Sequence, residues 1–206
     1  MEQDIVFLYF FDANDGRSTE EKIVSAAKQY AKANRISTLF DPVIHRTKAG
    51  KPYIAGHTEI GVSVSHSGDW FVCALTEGNV GVDIEQHKRA QKNGQAEIEE
   101  RFVQIAKRFF HPEEAAYVAQ SPMCRFYMVW TAKESYVKYT GTGMNETFGE
   151  RSVVSAQAMD EKSYREGLPI GWIGEDVCFK QMLYEKEYTL CVCKENTFDI
   201  EFIGMR

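Results

Sequence analysis

The segment VGVDIE at 80–85 decides how the sequence is interpreted. It follows a Gly-Asn turn and alternates aliphatic with other residues, which predicts a β-strand. Because side chains on a strand alternate between its faces, the aliphatic residues point to one side and Gly81, Asp83 and Glu85 to the other. The two carboxylates are about 7 Å apart along the strand, a spacing that suits hard oxygen ligands of Mg²⁺. Taken alone, however, the pair is better explained as a solvated strand end, because two acids at this spacing are common.

The residues before this strand predict a sheet and a helix. IGVSVSH at 60–66 alternates apolar and small polar residues, and WFVCALT at 70–76 is apolar enough for a strand covered on both faces. DIVFLYFF at 4–11 is rich in β-branched and aromatic residues and predicts the first strand. Ser18, with Glu21 three residues later, predicts a capping box at the start of a helix.

The residues after it predict helices and then a second sheet. One apolar helix face is formed by Ile98, Phe102, Ile105, Ala106, Phe109 and Phe110. Pro112 begins a short helix, and Ser121, as the capping residue before a proline, begins another that ends at Gly141. Alternating segments predict strands near 150–156, 176–184 and 187–194, with a weaker strand at 198–203.

The length and the polar stretch at 86–97 predict two halves. A chain of 206 residues suits one large domain or two small ones. We therefore expect an α+β protein with an N-terminal lobe at 1–95 and a C-terminal lobe at 96–206.

Composition excludes several classes of protein. The net charge of −6 makes the chain a poor general binder of nucleic acid or of an anionic membrane surface, and no apolar run is long enough to span a bilayer. Five cysteines without a CxxC pair indicate neither a disulfide framework nor a zinc site. We expect reduced, buried thiols and a cytoplasmic protein.

A second candidate group lies on the predicted helix before Gly141. Trp130, Glu134 and Lys138 are four residues apart and share one face, with Lys133 beside them. The default interpretation is an exposed ion pair of Glu134 with Lys138. The apolar neighbours of the stripe place the pair at the edge of a buried face instead, which favours a functional role.

Two shorter features are ambiguous by themselves. Ser65 and His66 precede a glycine turn and could donate hydrogen bonds to a phosphate. A Ser–His hydrolase is disfavoured, because adjacent strand residues point apart and no G-x-S-x-G elbow is present. The basic turn from Lys48 to Lys51 could equally be a solvated loop.

Together these segments resemble a known family. GKP at 50–52, VSVSHSGDW at 62–70, GVDIE at 81–85, AKRFF at 106–110, WTAKESYVKYTGTG at 130–143 and EKEYTLCVC at 185–193 occur in the order and spacing of the Sfp-type 4′-phosphopantetheinyl transferases. The resemblance covers about residues 44–193. It implies a pseudo-twofold, two-lobed α+β fold with the active site between the lobes.

The resemblance also implies a reaction. Enzymes of this family move 4′-phosphopantetheine from coenzyme A to a serine of an acyl or peptidyl carrier protein, with Mg²⁺, and release adenosine 3′,5′-bisphosphate. Such modification serves fatty acid, polyketide or nonribosomal peptide biosynthesis. We expect a cytoplasmic monomer that binds coenzyme A and a carrier protein, and neither nucleic acid nor membrane.

Residue roles follow from matching motif positions. Asp83, Glu85 and Glu134 resemble the family's Mg²⁺ ligands, and Glu134 and Lys138 are the expected catalytic residues, with Glu134 or a water as the base. The residues that match coenzyme A contacts are Lys51, Ser65, His66, Lys133 and Lys138. The family's N-terminal basic helix is poorly matched, so Arg46 and Lys48 are expected to hold the adenosine end.

The carrier protein is expected to bind along residues 86–110. Carrier proteins of this kind are acidic, so a net negative enzyme needs a local basic or apolar patch. The candidates near the motifs are Lys88, Arg89, Lys92, Arg101, Lys107, Arg108, Phe109 and Phe110. Two alternatives stay open, namely a metal-dependent phosphohydrolase of nucleotide diphosphates and a module that binds coenzyme A without catalysis.

Overall fold

The structure is a computed structural model that describes residues 4–36, 41–87, 94–143, 146–154 and 160–205. The strands are β1 Asp4–Asp12, β2 Ile44–Arg46, β3 Pro52–Ile54, β4 Ile60–Ser67, β5 Trp70–Glu77, β6 Val80–Gln86, β7 Ile170–Ile173, β8 Cys178–Tyr184, β9 Tyr188–Lys194 and β10 Phe198–Gly204. The helices are α1 Thr19–Ala33, α2 Gln95–Phe109, α3 Pro112–Gln120, α4 Pro122–Thr140 and α5 Glu161–Arg165, with a 3₁₀ turn at Glu146–Gly149. The predicted α+β class is confirmed.

The strands form two four-stranded sheets and one short hairpin. The first sheet has the order β10-β1-β5-β4, in which β10 runs parallel to β1 and the other neighbours are antiparallel. The second sheet has the order β6-β9-β8-β7 and is antiparallel throughout. Strands β2 and β3 form the hairpin. The division into lobes at residue 95 stays a prediction. The two sheets do not follow this boundary, because β6, which precedes residue 95, belongs to the second sheet, and β10, which follows it, belongs to the first.

The seam between the sheets is made by serine hydroxyls on β4. The hydroxyls of Ser63, Ser65 and Ser67 accept hydrogen bonds from backbone N–H groups of β6, at donor–acceptor distances of 3.0, 3.3 and 2.9 Å respectively. The apolar face of β6 contributes Val82 and Ile84 to the core shared by both sheets, and both side chains are fully buried. The predicted alternation of this strand is confirmed.

Helix α4 packs directly on β6 because Gly81 has no side chain. A Cβ atom at Gly81 would lie 1.8 Å from the Ser135 carbonyl oxygen and 2.5 Å from the Tyr139 nitrogen. The helix ends as predicted at Gly141, whose φ of 70° is left-handed. The polar face of β6 is therefore held against the last turns of α4.

Several local predictions are also settled. The capping box of α1 is confirmed, since Ser18 accepts from the Glu21 nitrogen and Glu21 accepts from the Ser18 nitrogen. Ser121 is the N-cap residue of α4 before Pro122, as predicted, but its hydroxyl makes no capping hydrogen bond and accepts one from Arg165. All five cysteines are free; Cys124 is half-buried and the others are buried. Within the described residues, no helix is long and apolar enough to cross a membrane.

The second sheet differs from the prediction at one edge. Residues 151–154 are irregular rather than a strand, while 155 and 156 lie outside the described residues. The edge strand β7 was not predicted, because Ile170–Ile173 is short and follows a Gly-Leu-Pro turn. The remaining strands match the predicted segments.

Candidate active site

Asp83 lies at the centre of a polar cluster between β4, β6 and α4. Its side chain is almost fully buried. The Oδ1 atom accepts hydrogen bonds from Lys138 Nζ at 2.7 Å and from the Ser65 hydroxyl at 2.8 Å. The Oδ2 atom is buried without a hydrogen-bond partner. A buried, unpaired carboxylate oxygen is costly, so this atom is a candidate ligand for a bound cation.

Glu134 lies one helical turn before Lys138 on α4 and shares this environment. Its Oε1 atom is also buried without a hydrogen-bond partner. Burial raises the pKa of Glu134 to about 7, and the charges of Asp83 and Glu85 add to the increase, while Lys138 opposes it. A carboxyl group with a pKa near neutrality can exchange a proton at physiological pH.

Glu85 completes the set of carboxylates from the far end of β6. Ser67 donates a hydrogen bond to Glu85 Oε2 at 3.1 Å. Burial and the neighbouring Asp83 raise the pKa of Glu85, while Ser67, the nearby Trp130 side chain and Lys138 oppose the increase. Glu85 is therefore held from β4 by Ser67 and lies close to Trp130 on α4.

The residues fit a divalent cation. When all three carboxylates are ionised, Lys138 leaves a net charge of about −2 in a partly buried site, which a divalent cation would balance. A cation would also give partners to the buried Oδ2 atom of Asp83 and the buried Oε1 atom of Glu134. As the side chains stand, no group of three His, Cys, Asp or Glu residues in the described part of the chain is arranged to hold a metal. A bound cation would therefore require side-chain adjustment.

A small cationic cavity lies beside this cluster. It has a volume of about 210 Å³ and is lined by Arg46, Lys51, Lys138 and the glycines at the end of α4. Lys51 donates hydrogen bonds to the carbonyl oxygens of Tyr139, at 2.8 Å, and Val80, at 3.3 Å. Burial lowers the pKa of Lys51 to about 8. Three cations around one cavity can bind a polyanion.

Lys133 is not part of this cluster. Its ammonium group bonds to Glu114 at 2.9 Å and to the Arg151 carbonyl oxygen at 2.8 Å, and it is almost fully buried. It also lies over the rings of Phe110 and Phe148. The structure therefore does not support the predicted diphosphate contact of Lys133.

Of the other predicted coenzyme A contacts, Ser65 is engaged within the cluster, while His66 and Lys48 are exposed. The Ser65 hydroxyl is fully used, because it donates to Asp83 and accepts from Lys138 and from the Ile84 nitrogen. This saturation disfavours a phosphate contact. His66 is exposed on the other face of β4, and Lys48 is exposed in the hairpin turn.

Two residues of the site were not predicted. Ser67 holds Glu85, and its signal in the sequence was the serine at every second position of β4. Trp130 was placed on the correct helix face, but its position beside Glu85 was not foreseen. Trp130 and Glu85 also line an apolar cavity of about 570 Å³, together with Phe102, Ile105, Phe109, Phe126 and Phe148.

Comparison with known proteins agrees with this geometry. A model of the 4′-phosphopantetheinyl transferase superfamily matches residues 79–193, a span that contains Asp83, Glu85, Glu134 and Lys138. The chain belongs to this superfamily. Among relatives of the superfamily, a 4′-phosphopantetheinyl transferase from Bacillus subtilis is 34% identical over 149 residues, which are 70% of this chain and 59% of that protein.

Two further superfamily relatives match shorter regions. The 4′-phosphopantetheinyl transferase gsp from Aneurinibacillus migulanus is 34% identical over 50% of this chain and 39% of its own length. The 4′-phosphopantetheinyl transferase Sfp from Bacillus subtilis strain 168 is 32% identical over 47% of this chain and 40% of its own length. The matches thus span roughly two fifths to three fifths of these relatives.

Proposed function

We propose that this chain transfers 4′-phosphopantetheine from coenzyme A to a serine of an acyl or peptidyl carrier protein. The observation that carries the proposal is the buried carboxylate cluster around Asp83, with two unpaired oxygens, beside a cationic cavity that shares Lys138. The superfamily match and the names of the relatives support the same reaction. The modified carrier protein would then act in fatty acid, polyketide or nonribosomal peptide biosynthesis.

Coenzyme A is proposed to place its diphosphate in the cationic cavity. Arg46, Lys51 and Lys138 line this cavity and supply positive charge to the diphosphate. Arg46 is also paired with Glu20 at 2.8 Å, an exposed pair that can exchange for a phosphate at little cost. His66 and Lys48 stay predicted contacts for the phosphates and the adenosine end.

Asp83, Glu85 and Glu134 are proposed to hold Mg²⁺. When bound there, the cation would neutralise negative charge on the diphosphate during transfer. The chain's own contribution is to keep these carboxylates together in a partly buried site. Hydrogen bonds from Ser65 and Lys138 hold Asp83, and a hydrogen bond from Ser67 holds Glu85.

The transfer itself is proposed to be a substitution at the β-phosphorus of coenzyme A. The carrier serine oxygen forms a bond to this phosphorus, and the bond from phosphorus to the bridging oxygen breaks, which releases adenosine 3′,5′-bisphosphate. Lys138 stabilises the negative charge of the leaving phosphate. Glu134 accepts the serine proton as a general base.

The carrier is proposed to dock along residues 86–110. On α2 the side chains of Arg101, Lys107 and Arg108 are exposed, and Phe109 is 46% exposed while Phe110 is buried. The apolar cavity beside Glu85 is lined by the same helix, so it connects this surface to the carboxylate cluster. Lys88, Arg89 and Lys92 lie outside the described residues. We further propose that the chain acts on this carrier as a monomer in the cytoplasm.

One incubation distinguishes this function from the alternatives. Coenzyme A and Mg²⁺ are incubated with the chain, with and without several apo carrier proteins, and products are identified by mass spectrometry. We expect adenosine 3′,5′-bisphosphate only when a carrier is present, together with phosphopantetheine on the carrier serine. Nucleotide products without carrier would indicate a phosphohydrolase. Binding of coenzyme A without any product would indicate a non-catalytic module.

A further inference from the structure

The seam between the two sheets repeats one unit three times. Each serine of β4 bonds to a backbone N–H of β6, and it lies beside the β6 residue that precedes that N–H. Ser63 bonds to the Val82 nitrogen, Ser65 to the Ile84 nitrogen and Ser67 to the Gln86 nitrogen. The three bonds have the same offset along both strands, so the three hydroxyls are equivalent in the seam.

The side chains next to the serines differ between the units. The preceding residue is Gly81 in the first unit, Asp83 in the second and Glu85 in the third. Ser65 donates its proton to Asp83 Oδ1 at 2.8 Å, and Ser67 donates its proton to Glu85 Oε2 at 3.1 Å. The first unit holds the sheets together without a carboxylate, whereas the other two hold the sheets and a carboxylate at once.

We propose that Ser67 and Ser65 are positioning residues, which orient Glu85 and Asp83 across the seam for binding a divalent cation. The inference rests on the proposed function, because it assumes that these carboxylates hold the cation. Each hydroxyl accepts a backbone N–H with a lone pair, which leaves its proton available to the adjacent carboxylate, and Ser65 and Ser67 donate there. A carboxylate fixed through one oxygen keeps the other available to a cation.

Ser67 gives the cleaner test of the two serines. Ser65 also accepts a hydrogen bond from Lys138, so its replacement would disturb the ammonium group as well. Among the described residues, the Ser67 hydroxyl hydrogen-bonds only to the Gln86 nitrogen on β6 and to Glu85. Ser63 is a matched control, because its replacement removes the same kind of seam bond and no bond to a carboxylate.

The experiment measures Mn²⁺ binding to the full chain without substrates, by electron paramagnetic resonance of free Mn²⁺. We expect Ser67→Ala to weaken binding by about tenfold or more, the usual effect of removing a partner of a metal ligand. Ser63→Ala should bind Mn²⁺ like the parent, with a similar fall in melting temperature to Ser67→Ala. Ser67→Thr, which keeps a hydroxyl, should restore binding. Should Ser67→Ala not fold, Ser67→Cys provides the same test, since a thiol keeps a side-chain atom in the seam but donates only weakly.

Two failures are distinguishable. If Mn²⁺ binding is absent in the parent or survives Asp83→Ala, the metal site of the proposed function is contradicted and the inference falls with it. If Asp83→Ala abolishes binding while Ser67→Ala binds as tightly as Ser63→Ala, the metal site stands and the positioning role is overturned.

Discussion

Helix α4 carries two buried lysine–carboxylate pairs, and they differ in how completely they are satisfied. In the first pair, Lys133 meets Glu114, and both Glu114 oxygens accept further bonds, from the Val153 and His111 nitrogens. In the second pair, Lys138 meets Asp83, whose Oδ2 atom has no hydrogen-bond partner. The first pair is closed to solvent, while the Lys138 side chain is 28% exposed.

The difference separates a structural pair from a functional one. The pair of Lys133 with Glu114 ties α3 and α4 to the segment around Arg151 and Val153, and it leaves no oxygen of Glu114 free for a ligand. The pair of Lys138 with Asp83 leaves one oxygen free and lies beside Glu134, whose Oε1 atom is also unpaired. Within these two pairs, an unsatisfied carboxylate oxygen distinguishes the candidate site, whereas buried charge alone does not.

The largest expected effect is on activity at the incomplete pair. Asp83→Ala should abolish phosphopantetheine transfer and leave the fold intact, because the side chain faces the cleft and its loss removes a hard oxygen ligand. The measurement is the transfer rate at increasing Mg²⁺, with circular dichroism as the control for folding. Near-parental turnover at low Mg²⁺ would contradict the metal site.

The next effect is on stability at the complete pair. Glu114→Gln should lower the free energy of unfolding by about 3–5 kcal/mol, since it leaves the Lys133 ammonium buried without its counter-charge. Urea denaturation measures this loss, and the transfer rate per folded molecule should change little. A large loss of transfer rate with unchanged stability would contradict the structural role of the Lys133–Glu114 pair.

Glu134→Gln should affect the rate far more than the stability. If Glu134 is both ligand and base, the rate should fall by about 10²-fold or more. An exposed ion pair would instead cost at most about 1 kcal/mol of stability and nothing in rate. Equal transfer rates for the variant and the parent would indicate that Glu134 and Lys138 form an ion pair without a catalytic role.

The raised pKa of Glu134 makes stability depend on pH in the absence of metal. Below its ordinary pKa of 4.5 the carboxyl is protonated in both the folded and unfolded chain, whereas between 4.5 and about 7 only the unfolded chain ionises. The contribution of Glu134 is therefore lost as pH rises through this window. Melting temperatures in a metal chelator should fall less steeply for Glu134→Gln than for the parent; parallel curves would contradict the raised pKa.

The smallest effect is expected at the carrier surface. Reversing Arg101 and Arg108 to Glu should raise the KM for carrier by about fivefold, and leave the KM for coenzyme A unchanged, because exposed charges act mainly on encounter. Added salt should reduce the difference. The control for net charge reverses two other exposed lysines, Lys32 on α1 and Lys162 on α5, to Glu. If only the KM for coenzyme A changes, Arg101 and Arg108 do not belong to the carrier-binding surface.

Local patterns predicted the elements that carry the site. The alternation at 80–85 and the stretch between Ser121 and Gly141 gave the correct strand and helix, because burial of one face sets their periodicity. Glu134 and Lys138 are four residues apart and therefore share a face. Lys133 precedes Lys138 by five residues, a rotation of about 140°, which directs it to the other side of the helix.

Tertiary contacts could not be predicted in the same way. Ser65 has a phosphate-binding context in the sequence, but its hydroxyl is used across the seam by groups on β6 and α4. Strand β10 enters the first sheet beside β1, a pairing of residues almost two hundred positions apart that no local pattern encodes. These contacts depend on how the two sheets meet.

The most direct test of the account is the location of a bound cation. A crystal of the chain with Mn²⁺ and coenzyme A would show the ion by its anomalous scattering. We expect one peak at about 2.0–2.3 Å from oxygens of Asp83, Glu85 and Glu134, next to the diphosphate. A peak bound away from Asp83 and Glu134, with their buried oxygens still unpaired, would contradict it.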